Sequence, residues 1–268
     1  MKIASKIENK VGHLYFEAFN GAMDLDHLVN LQAAFFELQT SALVKVIVLW
    51  GGEEFFSNGI DLVSIEQGYN PAVMAYRNLK ALNKLITSIL TCSDKLLIAA
   101  FRGPAAAGGV MLGLACDLRY GQSGIVLNPN YVNMDLCGSE YWSLLLPTIV
   151  GLAHAQRLLL EATPISLNEA VSLGIIHEDI EADLFEEEIT KRAEFLANQQ
   201  FAARLATKNL LLASLREKMK DFEARELKAM KEICNSEDFA TSRNDFINKK
   251  PKPSFVQIAS KNLHRPSQ

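Results

Sequence analysis

The sequence predicts an α/β fold with an appended helical layer. Three observations predict it: short β-branched runs that end at glycines, amphipathic helical stretches between those runs, and an almost wholly helical signal from about Leu152 onward. A chain of 268 residues is long enough for a single large α/β unit. We divide it into a core over residues 1–195 and a helical region over 196–268 that packs on the core, on a neighbouring subunit, or on both.

The elements follow in order. Ile3–Ile7 and His13–Ala18 read as strands joined by the Asn9-Lys10 turn. After Asn20-Gly21, the apolar face of Leu25, Leu28, Val29, Leu31, Phe35 and Leu38 predicts a helix. Val44–Trp50 is a short apolar run leading into Gly51-Gly52, the pattern of a buried parallel strand that ends in a loop. A helix follows from about Val73 to Leu90, and a second buried strand, Leu96–Phe101, stops just before Gly103. Phe185–Asn198 and Phe201–Ile233 carry apolar residues at helical spacing. The second is long for a globular helix, and the expectation is that it breaks or projects from the body.

Composition narrows the function. The formal net charge is −4, which argues against a nucleic-acid surface, because that needs clustered positive charge. No apolar run is long enough to span a bilayer, and the first residues lack a secretory apolar segment, so the expectation is a soluble cytoplasmic protein. Four cysteines without a C-x-x-C pair read as free thiols, and five scattered histidines give no metal-ligand spacing. No metal is expected.

Two loops follow the two buried strands: Phe55–Leu62 and Gly103–Met111. The second is rich in small residues and opens a helix, so free N–H groups and the positive end of a helix dipole face outward there. Two such loops on neighbouring strand ends point to an oxyanion hole. A Gly-Gly helix start is equally explained by tight helix-on-strand packing.

The residues of these loops, Phe56-Ser57-Asn58-Gly59-Ile60-Asp61-Leu62 and Ala105-Ala106-Ala107-Gly108-Gly109 with Leu114-Ala115-Cys116-Asp117-Leu118-Arg119 downstream, resemble the signature of the crotonase (enoyl-CoA hydratase/isomerase) superfamily. Ile165–Ala170 and Leu173-Gly174-Ile175-Ile176 resemble its later helical segment. The resemblance implies a spiral of ββα units, a C-terminal helical layer used in oligomerisation, and homotrimers or dimers of trimers. It also implies an acyl-CoA thioester as substrate, with coenzyme A present only as part of it and no permanently bound cofactor. Carried over, the backbone donors are the amides of Asn58 and Gly108, with Ile60 and Met111 in the substrate pocket.

The family's hydratases use two glutamates, and at those positions this chain has Met111 and Tyr131. Methionine cannot transfer a proton, and a phenol with an ordinary pKa of about 10 is a poor base at neutral pH. Ordinary hydration of an enoyl-CoA is therefore not expected. Leu127-Asn128-Pro129-Asn130-Tyr131, Gly138-Ser139-Glu140-Tyr141-Trp142 and Phe246–Lys252 are similar to the crotonase-like domain of HoxX-type hydrogenase-maturation proteins. That family joins this domain to a formyl-tetrahydrofolate-binding domain and makes carbon monoxide through formyl-CoA. The folate-binding half has no counterpart in these residues, and Asp61 stands where that family is expected to have a histidine. The chain is thus expected to depend on a separate formyltransferase or hydrogenase-maturation partner, or to act on another short acyl-CoA.

Glu140 and Tyr131 are the acid/base candidates. Glu140 equally suits a helix cap after Ser139, and Tyr131 a core or subunit-contact aromatic. Tyr141 and Trp142 are expected to wall the acyl pocket, and Lys249 and Lys250 to reach the CoA phosphates. Asp61 reads as the cap of the following helix, and Asp117 as a helix-end or strand-edge group. Three functions remain open: a HoxX-like lyase, an enoyl-CoA hydratase or isomerase with its acid/base moved to Glu140, and an inactive CoA-binding scaffold.

Overall fold

The computed structural model describes residues 2–129 and 131–248. The chain opens with the expected hairpin, β1 (Lys2–Glu8) and β2 (Val11–Glu17), turned by Asn9 and Lys10 at φ 48° and 69°. Two successive left-handed residues make the tight turn that matches strand twist. A short strand β3 (Ala22–Met23) leads to helix α1 (Leu25–Thr40), capped by the Asp24 carboxylate. Strand β4 (Val46–Trp50), the short β5 (Gly59–Ile60), helices α2 (Leu62–Glu66) and α3 (Pro71–Thr91), and strand β6 (Leu96–Phe101) follow. Then come β7 (Ala105–Ala106), α4 (Gly108–Leu114), β8 (Leu118–Gln122) and β9 (Val126–Asn128). The second half holds α5 (Trp142–Val150), α6 (Leu152–Leu160), β10 (Ile165–Ser166), α7 (Leu167–Ser172) and β11 (Glu178–Ile180). Three helices end the described chain: α8 (Phe185–Asn198), α9 (Phe201–Ile233) and α10 (Glu237–Ile247).

The main sheet has the order β1-β2-β4-β6-β8-β11 and is parallel apart from the β1–β2 pair. Its central strands are buried on both faces, which is why they read as continuous apolar runs. Alternation still sorts their side chains. Ile47, Leu49, Leu97, Ala99 and Phe101 face the main core, with α1, α3 and α4. Val46, Val48, Trp50, Ile98 and Ala100 face a second core closed by Phe185, Ile189 and Ala193 of α8. The Trp50 indole donates to His13 Nδ1 at 3.0 Å, so its one polar atom is satisfied inside.

Helix α9 is 33 residues long without a break. It lies along the body instead of projecting, because buried polar anchors and an apolar stripe hold it there. Lys208 pairs with Asp117 at 2.7 Å and also donates to the Lys95 carbonyl; Arg216 donates to the carbonyls of Leu90 and Cys92. Met219 and Met230 of α9 and Phe239 of α10 join the main core. Asp117 fills the strand-edge role, accepting from the Leu97 N–H at 2.7 Å. Among the described residues no helix is long and apolar enough to cross a membrane, and the four cysteines are free.

Removing one partner of a buried ion pair leaves the other charge uncompensated, typically at about 3–5 kcal/mol. Lys208→Met is expected to lower the unfolding free energy by about that amount in urea titration. Lys191→Met, at an exposed pair, should leave the urea midpoint unchanged, because solvent screens such a pair.

Candidate active site

The loops after β4 and β6 are stitched together by their backbones. Phe56 N–H donates to the Pro104 carbonyl at 2.8 Å, and Ala106 N–H to the Ser57 carbonyl at 2.9 Å. The same Ser57 carbonyl lies against Gly109, where an added Cβ would meet the oxygen at 2.0 Å. Only glycine permits that approach. Ala107, which precedes α4, sits at φ 47°, ψ −125°. Non-glycine residues rarely occupy such a conformation, and it persists because the Ala107 N–H is tied to the Asn128 carbonyl at 2.9 Å.

This arrangement fixes two amides. The N–H of Gly108 opens α4 and has no intrahelical acceptor. Asn58 does not supply the other: its N–H donates to the Gly21 carbonyl at 2.7 Å. The sequence assignment there is corrected, and the pairing of β3 with β5 gives the reason. Asp61 N–H donates to Met23, the register partner of Ile60. In a parallel ladder the residue between such bonds turns its own N–H toward the opposite edge. For Ile60 that edge is the Gly108 side, since Ser57 of the same segment bridges there to Ala105 of β7, just before α4.

These amides border a cavity of about 520 Å³ whose wall includes Asn58, Ile60, Gly108, Tyr131 and Glu140. Glu140 is buried, at 1% exposure. Its Oε1 lies so close to Gly108 that a Cβ there would meet it at 2.7 Å, and its Oε2 accepts from the Ser139 N–H at 2.7 Å. Burial pushes the carboxyl pKa up, opposed by the backbone N–H groups of Ser139 and Glu140 and by the nearby Tyr131 phenol. Tyr131 packs its ring on Gly138. Its buried hydroxyl stands beside Glu140 but out of hydrogen-bond geometry, with no partner among the described residues. Burial, then the carboxylates of Glu140 and Glu226, raise the phenol pKa well above its ordinary value, so it stays protonated.

Glu140 is not the helix cap. Glu226 of α9 fills that place, accepting from Tyr141 N–H at 2.8 Å, Ser143 N–H at 2.9 Å and the Ser143 hydroxyl at 2.5 Å. A carboxylate at the N-terminus of α5 meets both free N–H groups and the positive end of the helix dipole. Burial, with a further contribution from Glu140, pushes the Glu226 carboxyl up to about 8 against the donors it accepts from.

Three further expectations are corrected. Met111 is fully buried in the main core, where an apolar side chain gains most. Tyr141 is left-handed at φ 58°, which reverses the chain after Glu140 and turns the next two side chains away from the cavity. The Tyr141 hydroxyl pairs with Thr87 on α3 at 2.6 Å, and Trp142 packs on the main core at the start of α5. Asp61 caps α2 through the Val63 N–H at 2.9 Å, as expected. Lys249 and Lys250 lie outside the described residues.

The sequence reading missed Phe19 and Asn20 on the cavity wall, Phe246 of α10, and Glu226. One signal for Glu226 exists in the sequence. It shares a helical stripe with Met219, Phe222, Met230 and Ile233, an acidic residue on an otherwise apolar face. Helix α10 is held over the site by Arg243 Nε to Glu66 at 2.8 Å and by the Ser242–Asp135 hydrogen bond.

With this geometry established, comparison with known proteins gives a consistent family. The family model "Enoyl-CoA hydratase/isomerase" matches residues 9–257. The hydrogenase maturation factor HoxX of Bradyrhizobium diazoefficiens is 34% identical over 91% of this chain and 44% of its own length. A peroxisomal Δ(3,5)-Δ(2,4)-dienoyl-CoA isomerase of Arabidopsis thaliana is 30% identical over 78% of this chain and 76% of its own. The crystal structure of HypX from Aquifex aeolicus in complex with tetrahydrofolic acid superposes with a TM-score of 0.88 at 32% identity, covering 94% of this chain and 46% of HypX. The chain thus spans less than half of HoxX and of HypX.

A carboxyl whose pKa is raised by folding favours the native state most at low pH, and that advantage is lost as pH rises through the folded value. Stability is therefore expected to fall between about pH 4.3, the ordinary glutamate value, and about pH 8, the value for Glu226. Urea midpoints measured across that window should decline in the wild type and decline less steeply in Glu226→Gln.

Proposed function

The chain belongs to the enoyl-CoA hydratase/isomerase family, and on that premise we propose that it processes an acyl-CoA thioester in the cavity bordered by Ile60, Gly108, Tyr131 and Glu140. One observation carries the proposal: a buried carboxyl, with its pKa raised, within one carbon's reach of Gly108. The Ile60 and Gly108 N–H groups would receive the thioester oxygen. Such preoriented donors act most strongly where water is excluded, and losing one typically lowers the rate by about 10²–10³.

The HoxX-like reaction, decarbonylation of formyl-CoA, is the favoured chemistry, supported by similarity over 91% of the chain. Glu140 in its ionised form takes the formyl proton as the carbonyl is polarised. The C–H electron pair stays on carbon, the C–S bond breaks with its pair going to sulfur, and carbon monoxide leaves. The proton on Glu140 then passes to the thiolate and gives free coenzyme A, so nothing else is consumed. The Tyr131 phenol serves as a hydrogen-bond donor to the departing sulfur or the carbonyl oxygen. A formyl-transferring domain or protein, in a hydrogenase-maturation setting, would supply the formyl thioester. Lys249 and Lys250 are assigned to the CoA phosphates.

A second reading, enoyl-CoA isomerase or hydratase chemistry with Glu140 as the acid/base, is favoured by the similarity to the dienoyl-CoA isomerase. A largely apolar cavity of about 520 Å³ also offers more room than a formyl group needs. Assembly as a homotrimer or dimer of trimers is proposed through the helical layer, where Leu210 and Leu211 are 79% and 76% exposed.

Carbon monoxide released from formyl-CoA is read by its absorbance change on binding a ferrous haem protein. Glu140→Gln should lower that turnover by about 10²–10⁴, the usual worth of a positioned acid/base, and Tyr131→Phe should lower it less, both with unchanged CoA affinity. The acid limb of the rate should lie above the ordinary carboxylate range. Turnover of crotonyl-CoA without release from formyl-CoA would instead select the second reading, and binding without either turnover would mark a scaffold. Gly108→Val should abolish acyl-CoA binding in calorimetry, because its Cβ meets Glu140 and Leu82 at 2.7 Å each.

A further inference from the structure

We propose that Glu226, on the C-terminal helix α9, is a positioning residue that acts through Glu140. The inference rests on the reading of Glu140 as the proton-transferring group.

Glu140 sits on the loop that runs into α5. Tyr141 directly follows it in a left-handed conformation at φ 58°, and no side chain of the loop itself caps α5. A non-glycine residue in that region is strained and persists only when its surroundings hold it. Here the Tyr141 N–H is gripped twice, by the Ser139 carbonyl at 2.6 Å and by Glu226 Oε2 at 2.8 Å. Glu226 Oε1 takes the Ser143 N–H and hydroxyl. Helix α3 also holds the loop, through Ser139 Oγ donating to Asn83 Oδ1 at 3.0 Å and through the Tyr141–Thr87 pair. Of these supports only Glu226 is a carboxyl, and it comes from a helix 85 residues further along the chain. Removing it frees the turn that aims the Glu140 carboxyl at Gly108.

Glu226 and Glu140 also interact through their charges. Glu226 is buried, at 5% exposure, and the titratable groups that act on it or feel it are Glu140, Tyr131, Cys137 and Tyr141, with Glu223 beside Tyr141 on α9. None is cationic. Ionising Glu226 therefore adds a second negative charge next to Glu140 and tightens the grip on the Tyr141 and Ser143 donors. Its titration, placed near pH 8, makes the base at 140 stronger as it proceeds.

The test compares wild type, Glu226→Gln and Glu140→Gln, in the full chain, with formyl-CoA and crotonyl-CoA as probes, reading kcat and KM across pH and the thermal midpoint of each variant. Glutamine keeps the size of the side chain but turns an N–H₂ toward the donors of the turn. A misplacement of about 1 Å can lower the rate by about 10²-fold. The expected result is a kcat fall of that order in Glu226→Gln with KM within about twofold. The step near pH 8 in the wild-type kcat profile should vanish in that variant. Wild-type kcat in Glu226→Gln overturns the inference, as does a variant that loses KM and kcat together with its thermal transition, which marks general scaffolding. Retention of the pH 8 step in Glu226→Gln also overturns it. Failure of the Glu140 reading itself is separate: there Glu140→Gln turns over like the wild type.

Discussion

The contact between the Ser57 carbonyl and Gly109 sets the geometry on which the rest of the site depends. Two loops from adjacent parallel strands can bring their amides into one crevice only if their backbones touch. The carbonyl of one lies directly on the Cα of the other, and an added methyl would meet it at 2.0 Å. The Ala106–Ser57 hydrogen bond locks this approach. The strained Ala107 turn then directs the first N–H of α4 outward. Because the main sheet below is buried on both faces, these loops stand on a rigid base, as precise placement of small groups requires.

Tyr131 and Glu140 sit on one segment between β9 and α5, and distant parts of the chain support it. Gly138 makes room for the Tyr131 ring, and Glu140 is aimed at Gly108 by a chain reversal one residue later. Helices α3 and α9 both hold that reversal. The carboxyl is therefore held where burial disfavours its charge, which raises its affinity for a proton. The helical layer in this way contributes to the site as well as to the core.

Much of the fold was legible in the sequence because its buried strands are short apolar runs that stop near glycines and its helices carry apolar residues at helical spacing. Leu96–Phe101, Phe185–Asn198 and Phe201–Ile233 have the bounds that the apolar patterns predict, and Asp61 and Asp117 play the local roles their positions suggested. Other features were not legible, and for physical reasons. Which amide of Phe55–Leu62 faces the crevice depends on the β3–β5 register, a pairing of two-residue strands too short to leave a pattern. The outward turn of Tyr141 and Trp142 depends on one left-handed φ at a tyrosine, which nothing in Ser139-Glu140-Tyr141 announces. The long helix stays intact against the body because its anchors, Lys208, Arg216 and Glu226, are polar side chains whose partners lie far away in sequence.

The placement of Trp50 and Trp142, the chain's two tryptophans, has an optical consequence. Trp50 is sealed between the main sheet and α8, its indole already engaged with His13. Trp142 begins α5 two residues after Glu140, half-buried, with an indole N–H that has no partner among the described residues. One fluorophore thus keeps watch over the scaffold and the other over the loop that bears the carboxyl, so intrinsic emission distinguishes a rearrangement of that loop from loosening of the sheet without any attached label.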